Sequence, residues 1–296
     1  FTATVRRPPP DTLDQKLNCH SKLHEVIALI QATKAGADEA LMLDPTGAVA
    51  TCNATNFFII KNGEVWTATG QYNLNGITSA LVCEVAEAAG IPVHRAPFSL
   101  TDVYAADEAF VTGTFGGLRR LDRGDHRGIV GVGRALAEEM DDSDARGSGD
   151  RIEHAPSLSS KMGSDPPCNY RRAMTSSTHQ ALADERNATV EIYSHGEFFL
   201  RDEAKISVFD SGFLVGDGIW EGIRLHHGVF AHLDRHLDRL FASAAAIDLD
   251  IGLDRAGVTA ALRETVDRNG MDDMVHVRLM ITRGDKKTPS QHPSNN

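Results

Sequence analysis

Residues 141–180 read DDSDARGSGDRIEHAPSLSSKMGSDPPCNYRRAMTSSTHQ, with few large apolar side chains among many Ser, Gly, Pro and charged residues. A segment of that composition cannot bury enough surface to offset the entropy of ordering it. It restricts the chain to two separately packed blocks, 1–140 and 181–296, joined by a mobile connector. The chain has 296 residues and is 41% hydrophobic, enough for a core in each block.

Within the first block, residues 21–34 carry Leu23, Val26, Ile27 and Ile30 at helical spacing. Residues 39–43, 55–61 and 64–69 read as strands, with Lys61-Asn62-Gly63 as a hairpin turn. A helix over 77–89 closed by Gly90 and a short strand over 108–112 follow. In the second block, strands at 189–193 and 197–200 flank a His195-Gly196 turn. Helices at 233–246 and 253–269 and a strand at 274–282 come after it. Helices mixed with hairpin-linked strands, and no internal repeat, give an α+β class with two domains.

The net charge is −11, and arginines stand in acidic company, as in Asp234-Arg235 and Asp238-Arg239. That balance opposes nucleic acid as a partner, because phosphate backbones require clustered Lys and Arg. The four cysteines, Cys19, Cys52, Cys83 and Cys168, have no CxxC pair and no metal-ligand spacing, so no metal is expected. No apolar run is long enough for a bilayer, and Phe1 to Pro10 does not read as a signal peptide; the expected location is cytoplasmic.

Three segments read as glycine- and threonine-bearing turns suited to chemistry. Asn75-Gly76-Ile77-Thr78 opens a helix, where free N–H groups and the positive dipole end accept phosphate. Thr112-Gly113-Thr114-Phe115-Gly116-Gly117 follows a strand and lets backbone amides approach an anion. The third is Asp217-Gly218-Ile219-Trp220-Glu221-Gly222. None matches a P-loop or GxGxxG, so nucleotide binding is unsupported.

Taken in order, these motifs resemble the class IV aminotransferases, the fold-type IV pyridoxal-phosphate enzymes. The family includes branched-chain and D-amino-acid aminotransferases and aminodeoxychorismate lyase. Gly36-Ala37-Asp38-Glu39-Ala40-Leu41-Met42-Leu43-Asp44, Asn56-Phe57-Phe58-Ile59, the segment 75–78 and residues 106–114 are similar to its large domain. Asp210-Ser211-Gly212, residues 218–224, His236-Leu237-Asp238-Arg239-Leu240 and Val277-Arg278-Leu279 are similar to its small domain. The family's small domain comes first, whereas its landmarks stand second here, as in a circular permutation. On that reading Phe1-Thr2-Ala3-Thr4-Val5 is the interdomain strand and Met174 is near an ancestral start.

The resemblance implies a transaminase that moves an amino group between an amino acid or amine and a 2-oxo acid by ping-pong Schiff-base chemistry. It implies pyridoxal 5′-phosphate as cofactor and a homodimer with no nucleic-acid or membrane partner. A lyase of the aminodeoxychorismate type and a non-catalytic ligand-binding relative are the alternatives. Lys16 is the implied Schiff-base lysine, although it stands about two residues too early and Asn18 falls at the expected place; Lys22 is the fallback. Gly76, Ile77, Thr78, Thr114 and Arg239 are the implied phosphate ligands. Thr51 stands where the family carries the glutamate that holds the pyridine nitrogen. Arg278 and His276 on one strand face, with Trp220 and Phe213, are the implied substrate contacts. Plain structural roles compete throughout: a surface lysine at 16, a charge balanced by Asp234 or Asp238 at 239, an ion pair at 278, core packing at 213 and 220. Ser79 and Arg119-Arg120 depart from the family's usual residues.

Overall fold

A computed structural model of the chain describes residues 1–114, 117–120, 136 and 184–292. The connector read at 141–180, together with Phe115 and Gly116 of the second glycine-bearing turn, lies outside the described residues. The fold divides into two compact units: Phe1–Lys16 with Lys22–Ala181, and Leu17–Ser21 with Leu182–Asn296. Both mix helices with mainly antiparallel sheets, an α+β arrangement.

In unit 1, α1 (Pro10–Leu13) and α2 (Leu23–Lys34) precede an antiparallel pair, β1 (Leu41–Leu43) and β2 (Val49–Cys52). Next come β3 (Asn56–Lys61), β4 (Glu64–Thr67), α3 (Ile77–Ala88), β5 (Val93–Arg95), α4 (Leu100–Ala105), β6 (Glu108–Gly113) and β7 (Gly117–Arg120). The five-stranded sheet has the order β5-β4-β3-β6-β7, with only β4 and β5 parallel. Asn62 and Gly63 both adopt positive φ, 55° and 78°, the conformation a two-residue hairpin requires.

The unbroken apolar run of β3 suits a strand covered on both faces. Phe58 and Ile60 pack with Val65 and Phe110 under Leu81, Val82 and Val85 of α3. Phe57 and Ile59 point the other way, toward Leu41, Leu43, Val49 and Val111. Phe58 and Phe110 stack at 4.9 Å between centroids. Each such buried side chain contributes about 1.5–3 kcal/mol. The helix α4 is too short to carry a legible apolar period in the sequence; Ser99 and Asp102 cap it reciprocally.

The apolar period of α2 does not mark its buried face. Ala28 and Ala32 pack on Met42, Ala3 and Ala40, so small side chains seat the helix closely. Leu23, Val26, Ile27 and Ile30 are 71%, 49%, 40% and 47% exposed within the chain.

Unit 2 opens with the hairpin β8 (Glu191–Ser194) and β9 (Glu197–Leu200). It continues through α5 (Ser211–Val215), β10 (Gly218–His226), β11 (Val229–Phe230), α6 (Leu233–Ala246), α7 (Arg255–Arg268) and β12 (Val275–Thr282). In the sheet order β11-β10-β12, the central β10 is paired along its length with β12. Ile219, Ile223 and Leu225 pack against Leu237, Leu240 and Ala244 of α6 and Val258, Leu262 and Val266 of α7.

The segment read as a third glycine-bearing turn is instead the first half of β10. Its glycines permit close approach rather than reversal. A Cβ at Gly218 would lie 2.7 Å from Ile281 O, and one at Gly222 would lie 2.6 Å from His276 Nε2. Residues Leu17–Ser21 run antiparallel beside this half of β10: His20 N donates to Gly218 O, and Trp220 N to Asn18 O. No helix among the described residues is long and apolar enough to cross a membrane.

Candidate functional site

A polar patch forms in unit 1 where β3 begins, β6 ends and α3 starts. Asn56 stands opposite Thr112 in the sheet register. Its Nδ2 donates to Leu74 O at 3.0 Å, while its Oδ1 fills the space that a side chain at Gly76 would need. Gly76 therefore precedes α3 because Asn56 leaves no room for a Cβ. Gly76, the N-cap, has no side chain with which to cap α3, so the leading N–H groups, those of Ile77 and Thr78 included, lie at the positive end of the dipole without an N-cap acceptor.

Thr51 lies on β2 and is buried; its Oγ1 donates to Thr55 O at 2.7 Å. With its proton committed there, the Thr51 oxygen can only accept further bonds. Gly113 approaches Thr55, and Asn73 Nδ2 donates to Ala50 O. Thr114 follows β6 directly. Three buried atoms of this patch, Thr55 Oγ1, Thr112 Oγ1 and Asn73 Oδ1, have no hydrogen-bond partner among the described residues. Buried polar groups are ordinarily paired, so three unsatisfied atoms beside an uncapped helix start fit a site that takes a polar, anionic ligand. The pairing of Thr55, Asn56, Asn73 and Thr112 was not singled out in the sequence. Asn56 heading an apolar run was the one legible signal.

The two candidate lysines bracket the excursion of residues 17–21 into unit 2. Lys16 is exposed, its backbone N–H held by Asp14 Oδ1. Lys22 is partly buried, with Nζ 3.3 Å from Glu25 Oε1. Glu25 also takes Arg7 at 2.7 Å, and Arg7 Nε donates to Tyr72 O in the loop before α3. No contact among the described residues brings Lys16 to the polar patch, whereas Lys22 is linked to its loop through Glu25 and Arg7. Cys52, next to Thr51, is not a nucleophile: burial, reinforced by Glu39, pushes its thiol well above the ordinary value.

In unit 2, Trp220, Arg224, His276, Arg278 and Met280 share the sheet face opposite the α6–α7 core, as the β10–β12 register requires. Arg278 lies 3.5 Å over the Trp220 ring and has no ion pair among the described residues. This replaces the structural ion pair considered for it with a cation–π contact. Burial lowers the Arg278 pKa. Although more than a third of His276 is accessible, its ring tip is packed over Gly222. Desolvation there, with Arg278 and Arg224 nearby and His236 beyond, pushes its pKa down to about 4. The imidazole is neutral at pH 7. Trp220 Nε1 donates to Cys19 O at 3.1 Å, while Phe213 is 71% exposed and packs into no core.

Asp234 and Asp238, the partners considered for Arg239, pair with Arg255. Arg239 reaches across to β10, where its Nε and Nη2 donate to Glu221 at 2.7 and 2.6 Å. His236 Nδ1 lies 2.7 Å from the same carboxylate. Burial alone would raise the Glu221 pKa, but the Arg239 and His236 hydrogen bonds outweigh it and hold the carboxylate below its usual range. Asp210 has a structural role: it caps α5 and accepts from Thr282 Oγ1 at 2.6 Å.

The family model for amino-transferase class IV matches residues 1–123 and 218–296. The chain belongs to the class IV aminotransferase family. It is 38% identical over 133 residues to branched-chain-amino-acid aminotransferase-like protein 2 of Arabidopsis thaliana, covering 45% of this chain and 24% of that protein. It is 40% identical over 112 residues to the branched-chain-amino-acid aminotransferase of Pseudomonas aeruginosa, covering 38% and 36%. A D-alanine aminotransferase of Bacillus licheniformis is 35% identical over 103 residues, 35% of either chain. Thus the chain spans well under half the length of these curated relatives. Among solved structures, the T.th. branched-chain amino acid aminotransferase with pyridoxamine 5′-phosphate aligns with TM-score 0.44 and 28% identity. That alignment covers 48% of this chain and 49% of the other.

Proposed function

We propose that this chain is a pyridoxal-phosphate-dependent transaminase that passes an amino group between an amino acid or amine and a 2-oxo acid. The observation that carries the reading is the unit 1 patch: an uncapped helix start, a glycine that Asn56 forces, and three unsatisfied buried polar atoms. When bound, the cofactor supplies an aldehyde for the amine and a ring that withdraws electrons. The Ile77 and Thr78 amides, with the Thr78 and Thr114 hydroxyls, would hold the phosphate; a role for Arg239 as a phosphate ligand rests on the family resemblance of its segment. Thr51 offers a neutral acceptor to the ring nitrogen, a weaker hold on its proton than a carboxylate. Arg278 holds a substrate carboxylate, with Trp220 and Phe213 excluding water and neutral His276 beside them. A lysine, Lys16 or Lys22, anchors the cofactor and moves the substrate proton.

The test is direct. Purified protein with pyridoxal phosphate should develop an absorbance that borohydride fixes onto one lysine, read by peptide mass. Absence of a fixed lysine overturns the proposal. Elimination is the second reading, favoured by the missing carboxylate at Thr51; pyruvate release without any amino acceptor identifies it.

A homodimer belongs to the same proposal, supported by the apolar stripe Leu23, Val26, Ile27 and Ile30, which stands exposed among the described residues. So does a cytoplasmic location, supported by the free buried thiols of Cys19, Cys52 and Cys83. The division into a large domain at 1–140, a connector and a small domain at 181–296, in reversed family order, is the last element. Its support is the sequence landmarks, and sequencing the intact gene tests it.

A further inference from the structure

His226 ends β10, and His227 and Gly228 form the turn into β11. In an extended strand, adjacent side chains point to opposite faces. Here His227 takes φ 46°, and this left-handed turn folds its ring back to 4.0 Å from that of His226. Asp273, just before β12, closes on both: Oδ1 is 2.7 Å from His226 Nδ1, and Oδ2 is 3.7 Å from His227 Nδ1. One ligand atom from each residue lies within 4.8 Å of the other two.

We propose that His226, His227 and Asp273 form a binding site for a divalent transition metal of the zinc–cobalt–nickel class. A tetrahedral ion with bonds of about 2.0–2.2 Å separates its ligand atoms by roughly 3.3 Å. The 2.7 and 3.7 Å distances run to different oxygens of Asp273; with one ligand atom from each residue all three lie within 4.8 Å, a separation that must contract toward that spacing as an ion binds. Two imidazoles and one carboxylate favour these metals over magnesium and calcium, which take all-oxygen sets. The His227 backbone N–H donates to Asp273 Oδ1 at 3.0 Å and orients the carboxylate, as outer-shell bonds do around metals.

His227 is 68% exposed, so the remaining coordination position faces water. Arg186 donates to the backbone carbonyl of Asp273 at 3.1 Å, and its charge weakens the site without occupying a ligand atom. The bound ion ties the β10–β11 turn to the entry of β12. This site uses no residue assigned to amino transfer.

The test uses the full chain, stripped of metal by chelation and reloaded with pyridoxal phosphate. Titration with Co²⁺ should give a visible ligand-field band of tetrahedral type that Zn²⁺ displaces and Mg²⁺ does not. His227→Asn keeps a residue that tolerates the left-handed turn and preserves the backbone N–H. It should weaken Co²⁺ binding at least about tenfold, and Asp273→Asn should abolish it. Equal binding by wild type and His227→Asn, or displacement by Mg²⁺, overturns the proposal. Paramagnetic broadening of the His226 and His227 ring resonances by Co²⁺ supplies a readout that needs no substitution. Unbroadened resonances likewise overturn it.

Discussion

The polar patch of unit 1 and the open sheet face of unit 2 are made of different materials. Hydroxyls, amides and a helix terminus compose the first, held in register by Asn56, Thr55 and Thr51. The second carries full charges, Arg278 and Arg224, with an aromatic ring beneath one of them. Partial charges fixed in a fold lose little to salt and need no rotamer freezing when a ligand arrives. A guanidinium on a long stem brings more attraction but loses more on desolvation and is screened. By their chemistry, a surface of the first kind suits a tightly held phosphate and one of the second kind an exchanging carboxylate.

The sharpest way to break that division of labour is at the lysine. Alanine in place of the borohydride-mapped lysine should lower turnover by about 10³-fold or more. A smaller loss, read in single-turnover assays, would remove the covalent anchor from unit 1. Thr51→Glu tests the neutral character of the patch. It places an unpaired carboxylate at a buried site and should cost the cofactor-free protein about 3 kcal/mol in urea unfolding, most of it recovered with pyridoxal phosphate. Unchanged stability would mean the site already solvates charge.

Gly76→Ala should weaken cofactor binding by about tenfold to a hundredfold, the effect of about 1–3 kcal/mol of overpacking. The same change in an Asn56→Ala background should recover most of the loss, and no recovery would separate Gly76 from Asn56. In unit 2, Arg278→Gln should raise KM for carboxylate substrates about tenfold with a smaller change in kcat. The Arg278→Lys variant should restore only part, because an ammonium lacks the planar fork. The smallest effect is on pH. His276 has a folded pKa of about 4, below its ordinary value of 6.5. As pH falls from 6.5 toward 4 the unfolded chain takes up the proton first, so stability declines across that window. His276→Gln should flatten the slope of urea midpoint against pH; an unchanged slope assigns it to another group.

Most elements were legible because their signals are local. The alternation of β12, the stripe of α6 and the Asn62-Gly63 turn each follow from neighbouring residues and appear close to their expected bounds. The short strands β2 and β5 are not legible in the sequence, since three or four residues carry too little pattern to stand out. Glycines at 218 and 222 misled: in sequence they mark a turn, and only the partners Ile281 and His276 explain them as contact points inside a strand. The apolar period of α2 gave the helix but not its buried side, because two alanines fit nearer to Met42 than larger residues would.

By itself the sequence determined the fold class, the family landmarks and the residue types available for chemistry, all written in short motifs. Tertiary structure decided the pairings. It moved the balance of Arg239 from its own helix to Glu221, set Arg278 on Trp220, and left Thr55, Thr112 and Asn73 with unsatisfied atoms at one helix start. It also joined His226 and His227 to Asp273. Each depends on groups far apart along the chain meeting within a few ångströms, and spacing in sequence contains no term for that distance.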